Sequence, residues 1–294
     1  MHLIDRVVDT LLHYRGRLPS HPLVTRLGFG ALRKLAWIGG VRRSKDFEQV
    51  ENFCLFVGHG RTGHTLVGAL LDAHPAMVIS HELNALDLIE REMTRKELYY
   101  LILCRSRHFA RNAQNAGYEY SVPAQYKGEY ESIRVIGDKK GGPTTMLLSR
   151  KPHLIKNIKE KVDANLKIVQ VTRHPLDCIP TITQKTLGSS KHIDDAIELY
   201  FERCSTISKI RSTYEGDWFD LYFENFVRKT KKSLSSLCSY LGVKCSHEYL
   251  KECSEIVFEE PKTNREKVSW SKKQIELIRE ETKRYSFLSE YRIG

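Results

Sequence analysis

The sequence lacks several features that would assign it to a well-defined class. No window approaches eighteen consecutive apolar residues, so no membrane-spanning helix is predicted. The seven cysteines form no C-x-x-C pair and lie inside apolar segments, where free cysteine behaves as a small hydrophobe. Neither paired cysteines nor a metal site is therefore expected. Internal repeats, low-complexity tracts and N-x-S/T glycosylation sequons are also missing.

A secretory signal peptide is not predicted, because charged residues interrupt the first thirty positions, among them Asp5, Arg6 and Arg15. Together with the cysteine usage, this favours a soluble protein in the reducing environment of the cytoplasm.

Positive charge is in excess but is not concentrated in any one segment. The chain has 294 residues, 47 of them Lys or Arg and 36 Asp or Glu, for a net charge of +11. Such an excess favours an anionic ligand, an acidic membrane surface or nucleic acid. The basic residues are scattered without a run of five, which is more typical of a solvated basic surface. Nucleic acid is suggested by charge alone, and we do not predict it as a partner.

The most informative stretch begins with an apolar run of strand length, residues 53–57. A glycine-rich turn, residues 58–63, follows it, and then an apolar helical periodicity through Leu66 and Leu70. This order is typical of a phosphate-binding loop, because the first amide groups of a helix lack internal partners and point at an anion. An ordinary tight turn between a strand and a helix is the plain alternative.

The spacing of Gly58, Gly63 and Thr65 reproduces the nucleotide-binding pattern G-x-x-x-x-G-K-S/T, except that His64 replaces the lysine. The fixed positive charge is inside the loop instead, on Arg61, whose planar guanidinium suits a tetrahedral oxyanion without a metal. We therefore predict a loop modified away from nucleoside triphosphates. A P-loop kinase or ATPase, the alternative, needs the loop lysine and an acidic Mg²⁺ ligand.

This stretch resembles the loop that binds the 5′-phosphosulfate in sulfotransferases using 3′-phosphoadenosine 5′-phosphosulfate (PAPS). The resemblance continues through residues 71–75 (Leu-Asp-Ala-His-Pro) and Glu82, and it is closest to the tyrosylprotein and bacterial branches. Thr62 replaces a serine and His64 replaces a threonine of that family pattern. The loop residues that the resemblance implicates in PAPS binding are Gly60, Arg61, Thr62, Gly63, His64 and Thr65.

Two further family motifs follow predicted strands. After residues 133–137, Gly137-Asp138-Lys139 resembles a motif whose lysine neutralises charge on the transferring sulfuryl group, with Lys140 as the competing assignment. A basic turn that caps a helix is the plain alternative there. After residues 166–171, Arg173 and the hydroxyl of Thr181 eight residues later resemble the family's 3′-phosphate site.

Three segments carry less specific predictions. The loop at residues 260–267 resembles one that closes over the nucleotide, so Arg265 and Lys267 are candidate phosphate contacts. The aromatic segment 113–131 is either an acceptor lid or a packed surface loop. Residues 1–46 form a helical N-terminal extension, and we favour packing on the domain over a membrane-surface helix.

Strands that alternate with helices predict an α/β protein with a mostly parallel sheet flanked by helices. The resemblance implies a P-loop NTPase-like sulfotransferase fold, which we assign to a single domain at residues 47–294. It also implies transfer of a sulfuryl group from PAPS to an acceptor hydroxyl or amine, with release of adenosine 3′,5′-bisphosphate and without a metal. A small natural product such as an alkaloid is favoured over a glycan or a protein as the acceptor. The sequence gives no oligomeric state.

Four residues are the candidates for catalysis. Arg61 and Lys139 would stabilise charge on the sulfuryl and leaving phosphate oxygens, and Glu82 would be the general base. His64 would supplement them or contact the acceptor. His64 and His81 are the rival bases, and helix capping is the alternative role for Glu82.

Overall fold

The computed structural model describes residues 3–14, 22–112, 122, 129–183 and 192–294. Within these ranges the strands are β1 (Asn52–Gly58), β2 (Met77–His81), β3 (Val135–Lys139), β4 (Asn165–Thr172) and β5 (Trp218–Tyr222). The helices are α1 (Leu3–Tyr14), α2 (Pro22–Arg42), α3 (His64–Asp72), α4 (Ala85–Glu90), α5 (Arg95–Asn112), α6 (Gly141–Arg150), α7 (Leu154–Val162), α8 (Pro175–Ile182), α9 (Ile193–Thr213), α10 (Phe223–Arg228), α11 (Thr230–Tyr240), α12 (His247–Glu255) and α13 (Lys272–Lys283).

The strands form one sheet in the order β2-β3-β1-β4-β5, and every pairing among them is parallel. All seven residues of β1 are buried, since β1 lies at the centre of the sheet and helices cover both faces. A parallel sheet covered on both faces needs strands that read as continuous apolar runs, which explains residues 53–57. The predicted α/β class with a mostly parallel sheet flanked by helices is confirmed.

Several element boundaries differ from the sequence prediction by one or two residues. β3 begins at Val135 and extends to Lys139, so that Asp138 and Lys139 belong to the strand and not to the turn after it. Their amides and carbonyls pair with β2, which continues to His81. α13 begins directly after Ser271, whose hydroxyl accepts a hydrogen bond from the Gln274 amide.

Four strands end at the same edge of the sheet with a residue of the predicted site. The glycine loop follows β1, Glu82 follows β2, Lys139 ends β3 and Arg173 follows β4. In open α/β sheets, ligands bind beyond the carboxyl ends of the strands. The topology therefore brings together residues that lie up to 112 positions apart along the chain.

The two N-terminal helices share the core of the sheet. Val8 of α1 and Leu32 of α2 are buried in the same apolar cluster as Phe53 of β1. The domain boundary at residue 47 stays a prediction, and the proposed lid at 113–131 falls mostly outside the described residues. Within the described ranges, none of the helices combines the length and the apolar character that a membrane span requires.

Asp72 at the end of α3 gives a prediction about stability. Its buried carboxylate accepts hydrogen bonds from the Ile79 amide (2.7 Å) and the Ser106 hydroxyl (2.8 Å), and burial raises its pKa to about 7. Because this pKa is higher in the folded state, the stability from the neutral carboxyl is full below the ordinary pKa of 3.8 and is lost progressively as the pH rises to about 7. The variant Asp72→Asn cannot ionise and is expected to keep on the order of 1–4 kcal/mol of that stability above neutrality.

Chemical denaturation of Asp72→Asn and the wild type across the pH range measures this difference. Curves of unfolding free energy that stay parallel between about pH 4 and pH 7 would show that Asp72 is already ionised in the folded protein at acidic pH.

Candidate active site

The loop after β1 has a backbone that only glycine accommodates at two positions. Gly58 has φ 129° and Gly63 has φ 97°, both in the region that L side chains rarely adopt. A Cβ atom on Gly63 would also lie 2.1 Å from the ring of Phe223. Arg61 has φ 71° at the tip of the loop, which is costly for a non-glycine residue. Strained backbone of this kind is typical of ligand-binding loops.

The ring of His64 lies beneath this loop. Its Nε2 is 3.1 Å from the carbonyl oxygen of Val57 and its Nδ1 is 2.9 Å from the hydroxyl of Thr62. Burial lowers the pKa of His64 to about 4, so the ring is neutral. Because the carbonyl only accepts, Nε2 carries the proton and Nδ1 is an acceptor, which shares the Thr62 hydroxyl proton with the carbonyl oxygen of His59 at 3.1 Å. Both ring nitrogens are therefore engaged in holding the loop, which favours a supporting role over contact with the acceptor.

Lys139 connects the loop to Glu82. Its Nζ donates to the hydroxyl of Thr65 at 3.1 Å and to Oε1 of Glu82 at 3.1 Å. The Lys139 side chain is only 3% exposed, whereas that of Glu82 is 50% exposed. A buried ammonium thus faces a carboxylate that remains open to a ligand. Lys140, the competing lysine, also lines the cavity described below, so the choice between the two stays a prediction.

Burial and charge act on this pair in different ways. Burial lowers the pKa of Lys139, although the nearby Glu82 carboxylate opposes it. For Glu82, burial acts to raise the pKa, but the charge of Lys139 and their hydrogen bond outweigh it and hold the pKa below its usual value. Glu82 is therefore ionised in the free protein. An anion bound beside Lys139 would offset the ammonium charge and raise the pKa of Glu82, which would make Glu82 a stronger base.

Asp138 fixes the position of Glu82. Glu82 and Asn84 both have positive φ angles, 57° and 68°. The buried carboxylate of Asp138 holds this turn by accepting from the amides of Leu83 (3.0 Å) and Ala85 (2.9 Å). Since Ala85 begins α4, Asp138 takes the helix-capping role that was the alternative for Glu82. This role of Asp138 depends on contacts between distant strands and was missed from the sequence.

His81, the second rival base, points elsewhere. Its ring stacks on Phe109 with the ring centroids 3.6 Å apart. Burial lowers the pKa of His81 to about 3, with a further contribution from the charge of Lys139. The residue does not line the cavity into which Glu82 opens. Glu82 is thus better placed than His81 to meet an acceptor.

Arg173 lies at the other side of the loop. It is 8% exposed, and its guanidinium donates to the carbonyl oxygens of Arg61 (3.2 Å) and Lys262. Its Cζ lies 5.4 Å from the ring centroid of Phe223, a cation–π distance. The Nε of Arg173 is buried and has no hydrogen-bond partner among the described residues. Buried charged donors without an anion are costly, so this site suits an anionic ligand.

Thr181 and the C-terminal loop surround Arg173. The hydroxyl of Thr181 accepts from Nδ2 of Asn264 at 3.2 Å, and both residues line the cavity together with Lys267. Arg265 does not reach the cavity, because it is paired with the buried carboxylate of Asp177 at 2.6 Å. Asp177 also accepts from the Asn264 and Arg265 amides, so this ion pair fastens the loop to α8. The predicted phosphate contact through Arg265 is therefore not favoured by the geometry.

These residues open into one cavity of about 720 Å³. Glu82 is the single acidic side chain among its described lining residues. The basic ones are Arg61, Lys139, Lys140, Arg173, Arg203, Lys262 and Lys267. Such a surplus of positive charge is suited to a ligand with several negative charges.

Arg203 of α9 was also missed from the sequence. It follows Tyr200 and precedes Cys204 on the apolar face of α9, and it is 7% exposed. A charged residue within an apolar helical stripe was the signal that could have found it.

The predicted absence of a metal is not tested by the structure. Among the described residues, no group of three His, Cys, Asp or Glu side chains is placed to hold a metal ion. All seven cysteines are free.

One segment of the chain matches a known sequence family, and it contains the glycine loop, the Lys139–Glu82 pair and the Arg173 site. A model described as the sulfotransferase family matches residues 55–247, more than half of the chain. The chain belongs to the sulfotransferase family. The enzyme is therefore a transferase of sulfuryl groups, and the P-loop-like sulfotransferase fold implied by the loop is confirmed. The match ends before the C-terminal loop that carries Lys267.

Solved sulfotransferase structures are similar to the chain at low identity. The sulfotransferase domain from the Synechococcus PCC 7002 olefin synthase is 18% identical, covers 81% of this chain and 96% of that one, and has a TM-score of 0.48. Sulfotransferase STF9 from Mycobacterium avium is 11% identical, with coverages of 100% and 93% and a TM-score of 0.48. Mouse sulfotransferase SULT7A1 complexed with PAP is 11% identical, with coverages of 84% and 93% and a TM-score of 0.46. No curated protein matches the chain.

Proposed function

We propose that this enzyme transfers the sulfuryl group of PAPS to a hydroxyl or amine of a small-molecule acceptor and releases adenosine 3′,5′-bisphosphate. The observation that carries this proposal is that two groups of basic and hydroxyl side chains, each a candidate anion site, line one cavity. One site consists of the glycine loop with Thr65 and Lys139, and the other consists of Arg173 and Thr181. A nucleotide with a phosphate group at each end of its ribose requires such a pair of sites.

The side chains at the two sites fit such a donor. At the first, the amides at the start of α3, the guanidinium of Arg61 and the hydroxyl of Thr65 would hold the 5′-phosphosulfate. Arg61 lines the cavity, so its charge is available to a ligand there. At the second, the unpartnered Nε of Arg173 and the hydroxyl of Thr181 would hold the 3′-phosphate. Lys267 would add a charge at the rim.

When bound, PAPS supplies the sulfuryl group and a phosphate leaving group. The Lys139 ammonium is already fixed within 3.1 Å of the Thr65 hydroxyl. It would stabilise the negative charge that develops on the oxygens between the sulfuryl group and the leaving phosphate. Glu82 would accept the proton of the acceptor group, and the turn held by Asp138 keeps its carboxylate at the cavity wall. His64 would keep the loop in shape from below.

The size and charge of the cavity bear on which acceptor can bind. A small molecule is compatible with a cavity of about 720 Å³ that must also hold the nucleotide. The nucleotide would occupy Arg61, Lys139, Arg173 and Lys267, which leaves Lys140, Arg203 and Lys262 against the single carboxylate of Glu82. This remaining positive charge suits a basic alkaloid less well than a neutral or anionic small molecule.

Adenosine 3′,5′-bisphosphate is expected to raise the melting temperature without added metal, because a ligand that binds the native state stabilises it. The variant Arg173→Ala should lose most of this response, since charged hydrogen bonds contribute about 1.5–3 kcal/mol each, or roughly 10- to 100-fold in affinity. Its response to adenosine 5′-phosphate, which has no 3′-phosphate, should change little. Thermal unfolding with each nucleotide measures these effects.

A matched control is Arg228→Ala, which removes an exposed arginine paired with Glu260 outside the cavity. It should leave the bisphosphate response intact. Equal stabilisation by ATP with Mg²⁺ would instead favour a P-loop kinase and would overturn the PAPS assignment.

A further inference from the structure

Arg203 has a buried charge and forms no close ion pair among the described residues, since the carboxylate of its exposed neighbour Glu202 acts on it only from beyond ion-pair distance. Its side chain lies on α9 and is directed toward Met146 of α6, whose sulfur is 3.6 Å from Nη2. A thioether sulfur is a weak acceptor and carries no charge. The Nε of Arg203 is buried and has no hydrogen-bond partner within the described ranges. Burial accordingly lowers the pKa of Arg203 from its usual value.

The helix that carries Arg203 is held rigidly against the glycine loop. Tyr200, one turn earlier, stacks on the ring of His59 with centroids 4.0 Å apart. Cys204, the next residue, has its sulfur 3.4 Å from Nε2 of the same histidine. These contacts hold α9 against the loop, and Arg203, between Tyr200 and Cys204, lines the cavity together with Gly60 and Met146.

An isolated buried charge is costly to a protein unless it is paired or hydrogen-bonded. Arg203 lines the cavity, so a ligand in that cavity can supply the missing anion. Both phosphate-bearing ends of the nucleotide already have basic partners of their own, Lys139 with Arg61 at one end and Arg173 at the other. Arg203 is thus a surplus cation on the side of α6.

We propose that Arg203 binds an anionic group of the acceptor, so that the substrate carries a carboxylate, phosphate or sulfate in addition to the hydroxyl or amine that is sulfated. This inference rests on the proposed function and names its substrate class. It also explains why Glu82 is the only acidic residue among the described lining residues: a second carboxylate there would neutralise Arg203 and repel such an acceptor.

The test uses three matched phenols as probes: 4-hydroxyphenylacetate and 4-hydroxyphenyl phosphate, which are anionic, and tyramine, which is cationic. Each is titrated into the full chain saturated with adenosine 3′,5′-bisphosphate, and binding is measured by calorimetry. At least one anionic probe is expected to bind about 10- to 100-fold more tightly than tyramine, the gain of a charged hydrogen bond. The variant Arg203→Met should abolish this difference, and Arg203→Lys should restore part of it.

Two controls distinguish a specific role of Arg203 from a general effect of charge on α9 and from a loss of folding or nucleotide binding. Lys209→Met removes an exposed cation from the same helix and should leave the preference for anionic probes unchanged. Arg203→Met should have an unchanged or higher melting temperature without ligand, because it removes an unpaired buried charge, and it should keep its affinity for the bisphosphate.

Tyramine binding as tightly as both anionic probes would overturn the inference while leaving the proposed function in place. Loss of bisphosphate binding in Arg203→Met would assign Arg203 to the donor and would also overturn it. A wild-type protein that does not bind the bisphosphate at all would refute the proposed function itself.

Discussion

Lys139→Met is expected to lower turnover by about 10²- to 10³-fold, the range measured when one preorganised donor to a developing charge is removed. Methionine keeps the unbranched stem but carries no charge. The stem packs beside Gly68, where it has little room to move, and this fixes the ammonium between Thr65 and Glu82. Because the group is in place before the ligand binds, it costs little to reorganise during the reaction.

The measurement is the transfer of label from PAPS into a fractionated metabolite extract, followed by kinetics with the acceptor so identified. The matched control is Lys140→Met, which removes the neighbouring charge at the same edge of the cavity. Its turnover should fall much less, because Lys140 makes no described hydrogen bond to Thr65 or Glu82. A larger loss in Lys140→Met would reverse the assignment of the two lysines.

Lys139→Met should also change the pKa of Glu82. Without the neighbouring ammonium, the remaining influence of burial raises the pKa of the carboxyl. The variant should therefore show an acid limb in its pH–rate profile at higher pH than the wild type, since a base is lost when the pH falls below its pKa. A profile whose acid limb does not move would show that Lys139 and Glu82 are not coupled in the working enzyme.

Sequence alone could predict the elements that depend on local chemistry. The apolar run at residues 53–57, the glycine turn and the helix that follows are encoded within twenty residues, and the structure has them as β1, the loop and α3. The carboxyl-end rule for parallel sheets then places Glu82, Lys139 and Arg173 at one edge. These predictions succeed because each depends on the pattern of one segment plus a general topological rule.

The side-chain partners of some site residues were not predicted from the sequence, because they depend on contacts between distant segments. Arg265 looks like a phosphate ligand in sequence, but Asp177, 88 residues away, holds it. His64 occupies the position of the P-loop lysine, yet its ring turns back to Val57 because a buried imidazole is most stable when both nitrogens are bonded. Neither outcome has a local signal, since charge and polarity describe what a residue can bind and not which partner it meets.

Glu82→Gln is expected to reduce turnover by roughly 10²-fold or more while leaving the affinity for adenosine 3′,5′-bisphosphate nearly unchanged. Glutamine keeps the shape of the side chain and can still accept a hydrogen bond from Lys139, but it cannot take a proton. The turn around residue 82 should survive, because Asp138 holds it through the amides of Leu83 and Ala85. The loss would then reflect chemistry and not folding.

The pKa of Glu82 determines how the loss of turnover in Glu82→Gln depends on pH. Lys139 holds it below the usual value in the free enzyme, so the carboxylate is ionised throughout the neutral range and its contribution is lost only on strong acidification. The wild type should therefore show no acid limb from Glu82 in kcat/KM near neutrality, and Glu82→Gln should be reduced by the same factor at every neutral pH.

Single-turnover kinetics of Glu82→Gln, His64→Ala and His81→Ala with the identified acceptor distinguish the three candidate bases. His64→Ala should lose affinity for the bisphosphate along with activity, because its ring holds Thr62 and the loop, whereas His81→Ala should change the rate little. If Glu82→Gln retains near-normal turnover while one histidine variant loses it with bisphosphate binding intact, that histidine takes the proton. The ion pair with Lys139 would then serve only to orient the lysine.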